Sequence, residues 1–105
     1  MQSSEVIVLI QTQTLPESAD EAKEALLDLA REVLRVERDC LGIELAQNTD
    51  DPTKITMIEK WSSREAYEGP HMQSQHMQAF IEASAKLFAG PPSISFWRGT
   101  SVDAS

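Results

Sequence analysis

Val6-Ile7-Val8-Leu9-Ile10 is an unbroken aliphatic run in which only Leu9 is not β-branched, and it is followed by the polar stretch Gln11-Thr12-Gln13-Thr14. Branching at Cβ suits pleated backbone, so the run reads as a central strand. Successive strand residues point to opposite faces. Val6, Val8 and Ile10 therefore face one way and Ile7 and Leu9 the other, and both faces need a cover.

The segments around this strand supply one of the two covers. Ser18-Ala19-Asp20-Glu21 has the spacing of a capping box and predicts a helix from Ala19 to about Arg38. Ala22, Leu26, Leu29, Ala30, Val33 and then Val36 or Glu37 form its apolar stripe, widened by Leu27 and Leu34. Its acidic start and its Arg31, Arg35 and Arg38 end complement the helix dipole and read as a solvated face. Leu41, Ile43 and Leu45 alternate with Gly42, Glu44 and Ala46 as a half-buried strand, and Asn48 to Thr53 is a reversal. A third strand follows from Lys54 to Trp61, with Ile55, Met57, Glu59 and Trp61 on one face and Thr56, Ile58 and Lys60 on the other. Ser62-Ser63-Arg64-Glu65 offers a second capping box for a short helix that Gly69-Pro70 should break. A longer helix is expected from around His71 to Phe88, and a fourth strand from Ser93 to Thr100 with Ile94 and Phe96 opposed to Trp97. The tail from Ser101 to Ser105 is expected to fray.

This is an α+β chain in the order β-α-β-β-α-β, the ferredoxin-like arrangement of a four-stranded antiparallel sheet with its helices on one face. At 105 residues it is a single domain, residues 1–105, short of core. The open sheet face must meet something, and a second copy of the same sheet, giving a homodimer, is the simplest cover.

Nine Lys and Arg against seventeen Asp and Glu leave a net charge of −8, which repels nucleic acid and anionic membrane surfaces. The one cysteine, Cys40, cannot make an intrachain disulfide, and no apolar run approaches the ~18 to 20 residues of a membrane span. With no signal-peptide pattern at the amino terminus, a cytoplasmic location is expected. His71 and His76 are five residues apart, roughly 140° on a helix, so as helical neighbours they would not grip one metal. No glycine-rich phosphate loop and no nucleophile elbow is present. Glu59, Trp61, Tyr67, His71 and His76 remain. On residue types alone they are more readily core aromatics, an ion pair and a helix cap than a catalytic set.

The run from Met57 through Glu59-Lys60-Trp61 to Tyr67, then His71 and His76-Met77-Gln78-Ala79-Phe80, resembles the signature of the antibiotic biosynthesis monooxygenase family. Gly69-Pro70 adds one residue before His71 relative to many members. The resemblance implies a dimeric α/β barrel with a pocket between sheet and helices. It implies activities that range from cofactor-independent oxygenation of quinols and phenols to haem degradation and isomerisation. The haem-degrading branch carries an Asn late in the first strand, a Trp near the place of His71 and a His near that of Phe80. This chain has Ile10 and Gln11, His71, and Phe80 there.

The expectation is therefore a monooxygenase that oxidises a small quinol or phenolic compound with O₂, without metal, flavin or other cofactor. An isomerase of a small carbonyl compound and a non-catalytic binder are the alternatives. His71 is expected to be the catalytic base, because its ordinary pKa of ~6.5 lies near working pH and a helix start after Gly69-Pro70 would favour a developing phenolate. Glu59 is expected to orient it, with Trp61, Tyr67, His76, Met77 and Phe80 against the substrate.

Overall fold

The computed structural model describes residues 4–102. Its strands are β1 (Val6–Gln13), β2 (Cys40–Gln47), β3 (Lys54–Trp61) and β4 (Ser93–Trp97), and its α-helices are α1 (Ala19–Val36), α2 (Arg64–Ala66) and α3 (Gln75–Ser84). A π-helical turn, Tyr67–His71, follows α2. The strands form one antiparallel sheet in the order β2-β3-β1-β4, so the expected ferredoxin-like α+β topology is present. The aliphatic run of β1 sits between two neighbours, as a central strand must.

The register sorts the side chains. Val8 stands opposite Glu59 on β3 and Phe96 on β4, and Ile10 opposite Met57 and Ile94. These residues, with Trp61, Ile55 and Ile43, form the inner face toward the helices. Leu26, Ala30 and Val33 of α1 are buried on it, as the apolar stripe predicts. The outer row pairs Ile7 with Lys60 and Trp97, and Leu9 with Ile58 and Ser95. Among the described residues no helix covers that outer row as α1 covers the inner face, and Trp97 remains 56% exposed.

Several local expectations are corrected. Helix α1 ends at Val36, not Arg38, and Glu37 is its extended C-cap, with the backbone N–H still bonded to the Val33 carbonyl. Ser18 makes no side-chain cap, because the chain enters through a 3-10 turn, Pro16–Ser18, that buries Ser18. Leu34 does not widen the stripe and is 47% exposed. A β-bulge between Cys40 and Gly42 turns Leu41 outward and gives its inward place to Cys40, opposite Trp61. In the second capping box Ser63, not Ser62, is the N-cap, accepting from the Ala66 N–H.

The largest correction concerns the segment expected to be one helix from His71 to Phe88. Gly69-Pro70 does not end a helix there. It lies inside the π turn, whose wider spiral accommodates a proline that has no N–H and whose ring crowds an α-helical carbonyl. The chain then breaks at Ser74, which is extended, and α3 starts only at Gln75. A 3-10 turn, Ala85–Leu87, replaces the last turn, and β4 stops at Trp97. Ser101 and Val102 have no regular structure, and the rest of the expected frayed tail lies outside the described residues. Among the described residues no helix is long and apolar enough to cross a membrane.

Candidate active site

The inner face of the sheet and the helices do not close completely on each other. They leave a cavity of about 590 Å³ with apolar walls from Leu26, Leu29 and Val33 of α1, Ile10, Ile43 and Met57 of the sheet, and Met77 and Phe80 of α3. Its polar lining is Thr12, Glu59, Tyr67, His71 and Ser84, and none of its lining residues is a Lys or Arg. That volume falls within the range of about 300–1,000 Å³ typical of small-molecule sites.

β3 delivers Glu59 to this cavity because it alternates, with Met57, Glu59 and Trp61 sharing the inward side. A buried carboxylate needs a donor, and the fully buried Trp61 supplies one: its indole N–H donates to Glu59 Oε1 at 2.8 Å. Among the described residues no Lys or Arg pairs with Glu59. Burial therefore pushes the Glu59 carboxyl up to about 7, opposed by the Trp61 bond.

The π turn delivers His71. Its ring packs on Trp61 at 4.5 Å between centroids and on Tyr67 at 5.0 Å, and the residue is only 3% exposed. Its Nδ1 lies 2.7 Å from Glu37 Oε2, and His76 Nε2 lies 2.6 Å from the same oxygen. An ionised carboxylate can only accept, so each ring donates through the nitrogen that faces Glu37. The Nε2 of His71, a ring on the cavity wall, is thereby left as the acceptor. Burial holds the His71 pKa below the ordinary imidazole value, and Glu37 pulls against that shift. Burial also pushes the Tyr67 phenol upward, so it stays a protonated donor.

Glu59, Tyr67, His71, Met77 and Phe80 line the cavity as the sequence predicts, but Trp61 and His76 do not. Trp61 is fully buried and packs on the ring of His71 at 4.5 Å between centroids. The expected partner of His71 is also different. Glu59 is taken by Trp61, and the carboxylate that orients His71 is Glu37. In sequence Glu37 could be found only as an acid at a stripe position that Val36 could equally fill. Once α1 ends, Val36 is 49% exposed and Glu37 turns inward.

The break at Ser74 also removes the premise that His71 and His76 share a helix, for both now converge on one oxygen. Glu37, His71 and His76 offer three ligand atoms within 4.8 Å of one another. A tetrahedral ion with bonds of ~2.0–2.1 Å would hold its ligand atoms about 3.3 Å apart. The separations of 2.7 and 2.6 Å are hydrogen-bond lengths. In this structure the three groups are joined by hydrogen bonds.

Residues 5–83 match the family model for antibiotic biosynthesis monooxygenases. The chain belongs to the antibiotic biosynthesis monooxygenase family. Solved structures with the same fold include a conserved protein from Methanosarcina mazei Go1, 21% identical with a TM-score of 0.81 over 93% of this chain and 95% of that one. A candidate antibiotic biosynthesis monooxygenase from Caulobacter crescentus CB15 is 23% identical, with a TM-score of 0.84 over 94% and 92%. A protein from Pseudomonas aeruginosa is 24% identical, with a TM-score of 0.81 over 95% and 99%. At these identities the likeness is one of fold. Among curated proteins no sequence matches the chain.

Glu59 gives a direct test of the family site's electrostatics. Its folded pKa of about 7 lies above the ordinary 4.5, so the folded state holds a proton that the unfolded state releases. Its contribution to stability is intact below about pH 4.5 and is lost as pH rises toward and through 7. Glu59→Gln keeps an acceptor for Trp61 and removes the titration. Urea unfolding should show the variant gaining stability relative to the parent between pH 5 and pH 8, by on the order of 1–3 kcal/mol. A pH-independent difference would place the carboxyl in water.

Proposed function

We propose that the chain is a cofactor-independent oxygenase of an uncharged phenol or quinol, with His71 as its base. The observation that carries this reading is the Glu37 bond to His71 Nδ1, which leaves Nε2 as a bare acceptor at the wall of an apolar cavity. Membership of the family supports monooxygenase-like chemistry in general. The substrate hydroxyl gives its proton to Nε2. The resulting phenolate passes one electron to O₂, and the two radicals combine at a ring carbon as a peroxide. The O–O bond then breaks, leaving one oxygen on the ring as a quinone carbonyl. The other leaves as water with the hydroxyl and ring-carbon hydrogens of the substrate, so phenol plus O₂ balances quinone plus water. Glu59, protonated up to about pH 7, can donate to a substrate oxygen, and Phe80 and Tyr67 flank the ring.

The lining carries no Lys or Arg to meet a phosphate, so for the isomerase alternative too the lining favours an uncharged compound. Isomerisation of a neutral carbonyl compound would proceed without oxygen consumption. The net acidity that disfavours nucleic acid also suits a free small-molecule enzyme, and a lone buried Cys40 whose thiol is pushed up to about 11 suits a reducing, cytoplasmic setting.

The assembly belongs to the same proposal. Ile7, Leu9, Ile58 and Trp97 make an apolar strip along the outer face, and a second copy's sheet would cover it as a homodimer. Light scattering should give twice the 11.7 kDa of one chain at micromolar concentration. Leu9→Asp should give the monomer mass and a lower melting temperature, whereas a monomeric parent would remove the dimer from the proposal.

For the chemistry, His71→Ala should keep its fold and lose roughly 10²-fold or more in turnover, the usual scale for a general base. The assay is oxygen uptake on a panel of naphthols, anthrols and hydroquinones. Turnover without oxygen uptake would favour the isomerase, and an undiminished His71→Ala rate would reject the base. Activity should also survive chelation, with iron and zinc below stoichiometric amounts by elemental analysis.

A further inference from the structure

His76 has no place in the step just described. It is off the cavity wall, and its ring is 6.4 Å from that of His71, so it touches neither substrate nor base directly. Yet its Nε2 is only 2.6 Å from Glu37 Oε2, the oxygen that His71 also uses. Side-chain exposure rises from 4% at His71 to 13% at Glu37 and 17% at His76, so His76 closes the cluster on its outer side.

We propose that His76 is a positioning residue: it holds the Glu37 carboxylate from outside, so that the shared oxygen keeps His71 in the tautomer whose Nε2 is free to act as base. The proposal rests on the reading of His71 as the base, and its geometry stands apart from any assay. Glu37 is the residue after the last turn of α1; its backbone is bonded to Val33 and Cys40, and neither bond fixes its side chain. His76 holds that side chain from α3. The spacing between the two histidines is fixed by Ser74, whose hydroxyl donates to the His71 carbonyl at 2.7 Å and accepts from the Met77 N–H at 3.3 Å. That clamp sets the first turn of α3 against the end of the π turn, and it brings two rings from different elements to one oxygen.

The second N–H also tunes the base. An oxygen that already accepts from His76 attracts the His71 proton less, and the cationic form of His71 is disfavoured by the neighbouring ring as well as by burial. The titratable groups facing or near His71 are Glu37 at the end of α1, His76 on α3, Tyr67 in the π turn and Glu59 on β3. Of these only His76 can be removed without touching the cavity wall or breaking the His71–Glu37 bond itself. Its loss leaves Glu37 unshared, which raises the His71 pKa. The base is then protonated up to a higher pH, and the acid limb of kcat/KM moves upward.

The test compares His76→Phe, which fills space without a donor, with His76→Gln, whose amide N–H can still reach Glu37. The Phe variant should lose roughly tenfold in kcat with KM within about twofold, and the acid limb should move to higher pH. The Gln variant should return most of the rate and the parent's limb. A raised KM with unchanged kcat would make His76 a substrate contact, and equal profiles for the two variants would make it structural; either result overturns the proposal. Nitrogen-15 NMR of the parent protein needs no substrate: the donors should be Nδ1–H on His71 and Nε2–H on His76, and the His71 titration should move up in His76→Phe. The opposite tautomer at His71, or an unmoved titration, would overturn positioning whatever the oxygen assay gives. A confirmed tautomer and shift without oxygen uptake would instead leave the positioning intact and reject the oxygenase reading.

Discussion

The burial of Trp61 at the end of β3 constrains Glu59, Tyr67 and His71 together. An indole with no exposure must place its N–H on an acceptor, and two residues earlier on the same strand face stands Glu59. Satisfying the indole therefore carries a carboxyl into an apolar interior. The same ring is the floor under His71 and packs edge-on to Tyr67 at 5.6 Å, while Tyr67 meets Phe96 of β4 at 5.7 Å. One large side chain thus couples the sheet to the π turn. A site built on a strand and a packed turn is held more rigidly than one on a free loop.

The two carboxyl groups near His71 have opposite surroundings and opposite roles. Glu37 meets two imidazole nitrogens at one carboxylate oxygen. Glu59 meets one indole N–H and apolar walls, which favour its neutral form. Had Glu59 oriented His71, as residue spacing alone suggests, the base would lean on a group that spends much of the neutral range protonated. A protonated carboxyl can donate a proton to the imidazole as well as accept one, and the tautomer would then be undefined. The use of Glu37 removes that ambiguity.

The fold was legible because its determinants are periodic. A five-residue aliphatic run, an alternating β3 and a three-and-four-residue stripe on α1 each state one face, and together they leave a single topology. Glu59 was legible as an inward-facing residue for the same reason, as a charged residue on the buried side of an alternating strand. What was not legible lies where periodicity ends. Glu37 reaches His71 because α1 stops one residue earlier, and Leu41 faces solvent because a bulge slips the register of β2. His71 and His76 converge because a π turn and an extended Ser74 replace an α-helix. Each depends on a backbone choice of well under a few kcal/mol that tertiary packing decides.

The cavity's dryness opposes one step of the proposed chemistry, since an apolar medium disfavours a phenolate. The same dryness acts on the protein's own groups, and there it helps. In water imidazole loses its proton near 6.5 and a Glu carboxyl near 4.5, so at no pH are a neutral histidine and a protonated glutamic acid both the major forms. Burial disfavours charge on each. It moves His71 downward and Glu59 up to about 7, and the order inverts. Between the two values lies a window in which the base is free and the acid is loaded, with Glu59 able to donate to the oxygen that His71 has just deprotonated. A single desolvating cavity thus prepares both partners for proton transfer.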